Sequence, residues 1–312
     1  MEHAVSRRRR PVTAGSPAGD SRRRPCPCGS GKRYKNCHGS ATDVLVARPF
    51  AGRVDECDWV ALRELVPAAT APLRMADPAH AGRSVLLATV LPVALPAIVR
   101  ADGTILVGLQ VPVRSGDVSR DIGRALQRAL DAEPGTMLSS AELPGAGPRI
   151  QELLDPAPLE ITVRQDFGFW MDDPELAGAE VQASLERANA AALPTERLAS
   201  VDAAYWIDAG ERAHLRWVLP QEEDAVLDAL ARLSAVGELG LGQRTRYAGS
   251  FRTHGLMAPV WDLPPDVPAT EWEAPAKEFA GRLAEALADP APLTDRQRRA
   301  RDGIRSRQLT LR

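Results

Sequence analysis

Three of the four cysteines and one of the five histidines of this 312-residue chain fall within thirteen residues, Cys26 to His38. Their spacing is C-x-C-x8-C-H. Three thiols and an imidazole are the ligand types that zinc takes in a closed, tetrahedral structural site. Cys26 and Cys28 flank a single proline, so their sulfurs can reach one ion from the same side. Gly29-Ser30-Gly31 then permits the reversal that brings Cys37 and His38 back. A disulfide reading is poor, because Cys26 and Cys28 are too close to pair comfortably and no export signal precedes them. Four protein ligands leave no position for water, so the site is structural rather than catalytic. Three thiolates and a neutral imidazole on Zn²⁺ leave about one negative charge. Backbone N–H groups of the 29–31 turn and the cations Lys32, Arg33 and Lys35 can offset it. A knuckle this short buries almost nothing, so its fold should come from the metal.

The run Cys26-Pro-Cys-Gly-Ser-Gly-Lys-Arg-Tyr-Lys-Asn-Cys-His-Gly39 resembles the SEC-C motif, the zinc module at the C-terminal end of SecA preprotein translocase ATPases. Ligand order, ligand spacing, the Gly-Ser-Gly turn, the Lys-x-Tyr-Lys segment and the closing His-Gly all agree. The resemblance implies Zn²⁺ held by Cys26, Cys28, Cys37 and His38. It also implies a recognition face made by Lys32, Arg33, Tyr34 and Lys35, with Ser30 supporting the turn. In the translocase that module contacts an export chaperone and the ribosome, so an acidic protein or the ribosome is the implied partner. The resemblance covers only residues 25–39, and no G-x-x-x-x-G-K-[ST] loop is present to make an ATPase motor. Arg48-Pro-Phe50 and the segment Ala61–Leu73 resemble an uncharacterised actinobacterial family that carries this motif near its N-terminus. That family brings no known reaction with it.

Charge is unevenly spread. Residues 1–40 hold ten Lys/Arg against Glu2 and Asp20, a net of +8, which leaves −10 on the rest of a chain whose total is −2. Residues 1–24, rich in Arg, Pro, Gly and Ser, read as a disordered basic tail with almost nothing to bury. Through Arg7–Arg10 and Arg22–Arg24 such a tail can bind RNA or another polyanion without reading sequence; a merely solubilising tail is the other reading. No aromatic interleaves these arginines, so base stacking has no platform there. The arginine run is followed by Pro-Val-Thr-Ala-Gly-Ser-Pro rather than an apolar stretch, which fits no export signal. The most apolar run, Val85 to Val99, is interrupted by Pro92 and Pro96 and is too short to span a bilayer. These features point to the cytoplasm, where thiols stay reduced. Cys57, outside the motif, reads as a small core residue or a partly exposed thiol.

From Leu45 onward the composition is that of a folded domain. We expect an α+β protein: a small N-terminal zinc knuckle at 25–40, then a two-lobed, possibly duplicated α+β body with C-terminal helices. Lobe 1 would span 41–150 and lobe 2 151–265, with Pro144–Pro156 as the boundary, and 266–312 would be helical. Asp58 is placed to cap a helix through Trp59, Leu62, Leu65 and Val66 before Pro67. Val85–Leu91 and Ala97–Arg100 read as strands, and Asp102-Gly103 turns into Thr104–Val111. Asp117 caps a helix with Val118, Ile122, Ala125, Leu126, Ala129 and Leu130 at helical spacing, closed by Pro134-Gly135. A helix near Glu175–Ala191, a hairpin from Val201–Ile207 to Ala213–Val218 and a helix opening at Glu222-Glu223-Asp224 repeat that order. Ala276–Ala288 and Asp295–Gln308 close the chain as helices, with seven arginines from Arg296 on whose partners are the acidic body or an external polyanion.

Catalytic patterns fail one by one. Asp166-Phe-Gly168 lacks the loops of a kinase, and Ser250 and His254 lack a nucleophile elbow. Gly237, Gly240 and Gly242 do not fit G-x-G-x-x-G after a strand. Asp172, Asp173 and Glu175 look like a solvated helix start, and His214 like a packing or surface histidine. Arg244-Thr-Arg-Tyr247 with Phe251-Arg252 reads as a strand with a polar face rather than a nucleic-acid contact. The functional expectation is a zinc-binding interaction protein. Two alternatives stay open: an enzyme with its site in the body, or an RNA binder acting through the tail.

Overall fold

The computed structural model describes residues 45–111, 115–139, 147–171 and 179–310. The chain first forms α1 (Glu56–Glu64), β1 (Ala69–Pro72), β2 (Val85–Ala88), β3 (Ala97–Val99), β4 (Ile105–Gly108) and α2 (Val118–Leu130). A single-turn α3 (Ile150–Leu153) and the short β5 (Thr162–Val163) follow. Next come α4 (Ala179–Ala191), β6 (Thr195–Arg197), β7 (Ala204–Asp208), β8 (Ala213–Trp217) and α5 (Glu223–Val236). The long hairpin β9 (Arg246–Thr253) and β10 (Leu256–Leu263), then α6 (Glu273–Ala288), α7 (Asp295–Arg305) and β11 (Gln308–Thr310), complete the fold. One sheet has the order β3-β4-β2-β1-β5 and the other β11-β9-β10-β8-β7-β6. Each contains one parallel pair, β2 with β4 and β11 with β9, among antiparallel neighbours. Mixed sheets with helices gathered beside them make this an α+β protein.

Period-two alternation sorts the strand residues between cores. Val85, Leu87, Ile105 and Val107 of the first sheet enter the same core as α1 and α2, and Tyr205, Leu256 and Ala258 of the second sheet enter it too. The opposite face of the second sheet, with Trp206, Leu215, Met257 and Trp261, packs on α5, α6 and α7. The opposite face of the first sheet buries Ala88, Ile98 and Leu106 against Phe169 and Trp170. Trp59, Val60, Ala61 and Leu62 of α1 are all at most 1% exposed, so this helix is enclosed on every side. Its charged residues Glu56, Asp58 and Arg63 are therefore buried as well, and each has a partner, as burial of charge demands. Glu56 pairs with Arg48 at 2.8 Å, Asp58 with Arg197 at 3.0 Å, and Arg63 with Glu64 and the Leu109 carbonyl.

This enclosure corrects the expected role of Asp58. The helix opens at Glu56, with Asp55 at its N-cap, and Asp58 sits in the first turn facing Arg197 and Tyr205. The far end also stops earlier than Val66. Leu65 and Val66 both donate to the Ala61 carbonyl, Pro67 ends the run, and Gln110 Nε2 donates to the Leu62 and Val66 carbonyls. Helix α2 begins as expected, with the Asp117 carboxylate accepting from the Arg120 N–H. The β3–β4 hairpin reverses at Gly103 with φ 84° and β7–β8 at Gly210 with φ 81°. The expected last helix is shorter than Asp295–Gln308: it ends at Arg305, and Gln308–Thr310 form a strand along β9. The change of sheet also falls past the Pro144–Pro156 boundary, because β5 at 162–163 pairs with β1.

Gly123 tests the packing. It lies inside α2, where glycine costs about 1 kcal/mol relative to alanine. An added Cβ would run into the Pro148 carbonyl, which is backbone and cannot swing aside. Gly123→Ala is therefore expected to destabilise by about 1–3 kcal/mol in urea unfolding, reversing the sign of propensity. A more stable variant would show that the 148 segment does not press on the helix.

Candidate functional site

The residues assigned by motif, Cys26, Cys28, Cys37, His38, Ser30, Lys32, Arg33, Tyr34 and Lys35, lie outside the described residues, as do Arg7–Arg10, Arg22–Arg24, Asp172, Asp173 and Glu175. The donor set of the motif, three thiols and an imidazole, is one that fits zinc. Among the described residues no group of three or more His, Cys, Asp or Glu is placed to hold a metal, and no helix is long and apolar enough to cross a membrane.

Within the body, a cleft of about 750 Å³ opens where the first turn of α1 meets Arg197, the end of β8 and one face of α6. Trp217, Leu283 and Leu287 supply apolar wall, and Asp55, Cys57, Asp58, Arg197, Asp202 and Gln221 the polar wall. Asp58 Oδ1 accepts from the Tyr205 hydroxyl at 2.8 Å and from Arg197 Nε at 3.2 Å, while Oδ2 accepts from Arg197 Nη2 at 3.0 Å. Asp55 is engaged in the same way, by Arg53 at 2.7 Å and by the Leu159 N–H at 2.9 Å. Both carboxylates are held in place by these donors. Burial, followed by the charges of Glu56 and Asp58, pushes the Cys57 thiol up to about 12. It is a neutral thiol at physiological pH, not a nucleophile. The cleft is thus amphipathic: its apolar wall faces a polar wall in which Asp55 and Asp58 are paired with arginines, Cys57 is a neutral thiol and Asp202 is exposed.

The Cys57 result is directly measurable. Alkylation by iodoacetamide at pH 8, followed by peptide mapping, should leave the Cys57 peptide unmodified in folded protein and modify it fully in urea. Equal labelling in both states would contradict the burial. The linkage has a sign: the unfolded thiol ionises near 9.0 and the folded one near 12, so stability complete below pH 9 is lost as the pH climbs toward 12.

The other sequence candidates take structural roles. Asp166 Oδ1 accepts from the Gly168 N–H in a local turn. Gly237, with φ 83°, ends α5. His214 faces Asp262 at 3.2 Å, and burial lowers its pKa. His254 sits at the tip of the β9–β10 hairpin and bonds Glu64 at 2.8 Å, while Ser250 is buried in β9. The C-terminal arginines meet the body in part: Arg301 reaches Asp224 and Asp228 at 2.6 and 2.5 Å. The Asp58–Arg197–Tyr205 trio has no local sequence signal, since its members are separated by 139 and 147 positions.

Comparison with known proteins places these parts. Residues 22–40 match the SEC-C motif. A 30-residue stretch is 73% identical to the protein translocase subunit SecA of Chlorobium phaeovibrioides (strain DSM 265 / 1930); it amounts to 10% of this chain and 3% of that protein. No solved structure matches the chain. Residues 49–312 match the model of a family described as "Family of unknown function (DUF5926)". That match takes in every strand and helix described above, so the chain belongs to the family of unknown function DUF5926 and carries a SEC-C motif ahead of it.

Proposed function

We propose that residues 25–39 are a zinc-held recruitment module that brings the α+β body to an acidic protein surface or to the ribosome in the cytoplasm. The observation that carries this reading is the SEC-C match at 22–40, with 73% identity to a SecA over 30 residues. Cys26, Cys28, Cys37 and His38 hold the ion, which supplies the fold of the module and no reaction. Lys32, Arg33, Tyr34 and Lys35 then present three cations and an aromatic ring on one short turn, supported by Ser30. A surface of this kind gains from a negatively charged partner, and long-range attraction speeds the encounter. An enzymatic body would have this cleft available, with Asp55 and Asp58 paired with arginines, Cys57 a neutral thiol and Asp202 exposed in its wall.

Sedimentation with purified ribosomes tests it, using the intact protein, Cys37→Ser and a chain lacking residues 1–40. Pelleting of the intact protein, lost in both variants, is the expected result. Pelleting that survives Cys37→Ser and falls steeply with salt would assign the interaction to the arginine tail as RNA binding. If no form pellets, the acidic protein partner is the remaining branch, sought by cross-linking from position 34.

A further inference from the structure

Strand β8 buries Ala213, Leu215 and Trp217 on one face, which leaves His214 and Arg216 on the other. At Arg216 that second face turns toward the core shared with α1, through its cross-strand neighbour Tyr205, and the His214 and Arg216 side chains are both half-buried. Arg216 stands between Tyr205 of β7 and Val260 of β10 in the cross-strand register. Its guanidinium lies 5.9 Å from the Phe251 ring centroid, and its Nε is buried with no hydrogen-bond partner among the described residues. Burial lowers its pKa, and no neighbouring carboxylate offsets that. The other arginines of this sheet differ: Arg197 meets Asp58, Arg212 and Arg246 meet Asp262, and Arg252 meets Glu223.

Arg216 borders a pocket of about 220 Å³ at the C-terminal end of α1. The remaining polar wall is already engaged. Arg63 pairs with Glu64 at 3.2 Å, Glu64 also bonds His254 at 2.8 Å, and the Gln110 amide caps α1. Arg63 and Glu64 cancel, so the pocket keeps one net positive charge, on Arg216. The opposite wall is apolar, with Val66, Pro67, Leu193 and Ile207. Leu193 is 42% exposed and marks the mouth.

We infer that this pocket binds a small organic monocarboxylate, its carboxylate on the Arg216 guanidinium and its apolar body against Val66, Pro67, Leu193 and Ile207. A planar guanidinium matches a carboxylate with two parallel N–H···O bonds. A partly desolvated cation without a partner is what an entering anion satisfies. The volume lies below the roughly 300 Å³ of ordinary ligand pockets, which limits the ligand to a few carbon atoms. The nearby Glu64 carboxylate works against a second negative charge, and so against phosphate.

The test uses butyrate as probe on the full-length protein, followed by the arginine Nε–H signals in ¹H–¹⁵N spectra and by thermal shift. Saturable binding of butyrate, with no response to 1-butanol and a weaker one to inorganic phosphate, is the expected result. Arg216→Gln should raise the butyrate Kd by at least about tenfold, the scale of one lost charge-assisted pair. Leu193→Glu, a surface change that leaves the core intact, should weaken butyrate severalfold by placing a negative charge at the mouth. If Arg216→Gln does not fold, that variant decides the matter. A non-saturating response, equal affinity in wild type and variants, or phosphate binding as tightly as butyrate would each overturn the assignment.

Discussion

Treatment of the full-length protein with excess 1,10-phenanthroline is expected to release one zinc ion per chain and to leave the thermal transition of the body where it was. The two halves of that outcome have separate causes. Residues 25–39 hold three thiols, one imidazole and almost no apolar side chains, so in the proposed module the free energy of folding would be that of metal binding. In comparable peptides that is on the order of 10–16 kcal/mol at neutral pH. The body draws on different resources: one core shared by both sheets and a second between the larger sheet and α5–α7. It contributes no metal cluster among its described residues. Cys37→Ser should bring the zinc content down without shifting the body's transition. Zinc measured by atomic emission, beside a circular-dichroism melt, checks both halves. Wild-type protein isolated without zinc, or a body that melts with the chelator, would defeat the proposal.

Asp58→Ala should cost the body about 3 kcal/mol in urea unfolding, the low end for breaking a buried ion pair from one side. Removing the carboxylate leaves the Tyr205 hydroxyl, in a fully buried residue, and the Arg197 guanidinium without their acceptor. Burial and the adjacent Asp58 charge together hold the Tyr205 pKa well above its ordinary value. Replacing all three at once, as Asp58→Leu with Arg197→Met and Tyr205→Phe, should recover most of the loss, because matched apolar groups need no acceptors. A loss under about 1 kcal/mol from Asp58→Ala alone would mean that water reaches the trio through the neighbouring cleft.

Much of the fold could be read along the chain wherever the signal was local. Asp117 and the apolar spacing from Val118 to Ala129 define α2, because a helix repeats its contacts every turn and its cap lies next door. Asp102-Gly103 and Asp208-Ala-Gly210 supply the positive φ that tight reversals need. The β9–β10 reversal carries no such signal, because His254-Gly255 fills it, at φ 47° and 73°, where asparagine or aspartate is the usual first residue. Asp58 has the local pattern of a cap, an acidic residue before an apolar run, while the partners that claim it lie more than a hundred positions away. The end of α7 was overrun since nothing in Ser306–Gln308 interrupts helical periodicity, and only the open edge of β9 draws Gln308–Thr310 into a strand.

The sequence by itself determined the SEC-C motif of the N-terminal segment, the α+β class of the body and the main hairpins and helices. Each of these depends on residues close together in the chain: three cysteines and a histidine within thirteen positions, caps within three, turns within two. The tertiary structure alone decided that α1 is enclosed by two sheets, that its acids Glu56 and Asp58 are tied to Arg48 and Arg197, and that Arg216 is left without an acid. Burial and pairing depend on which surfaces meet. An alternating strand such as Ala213–Trp217 looks the same whether its second face meets water or a core.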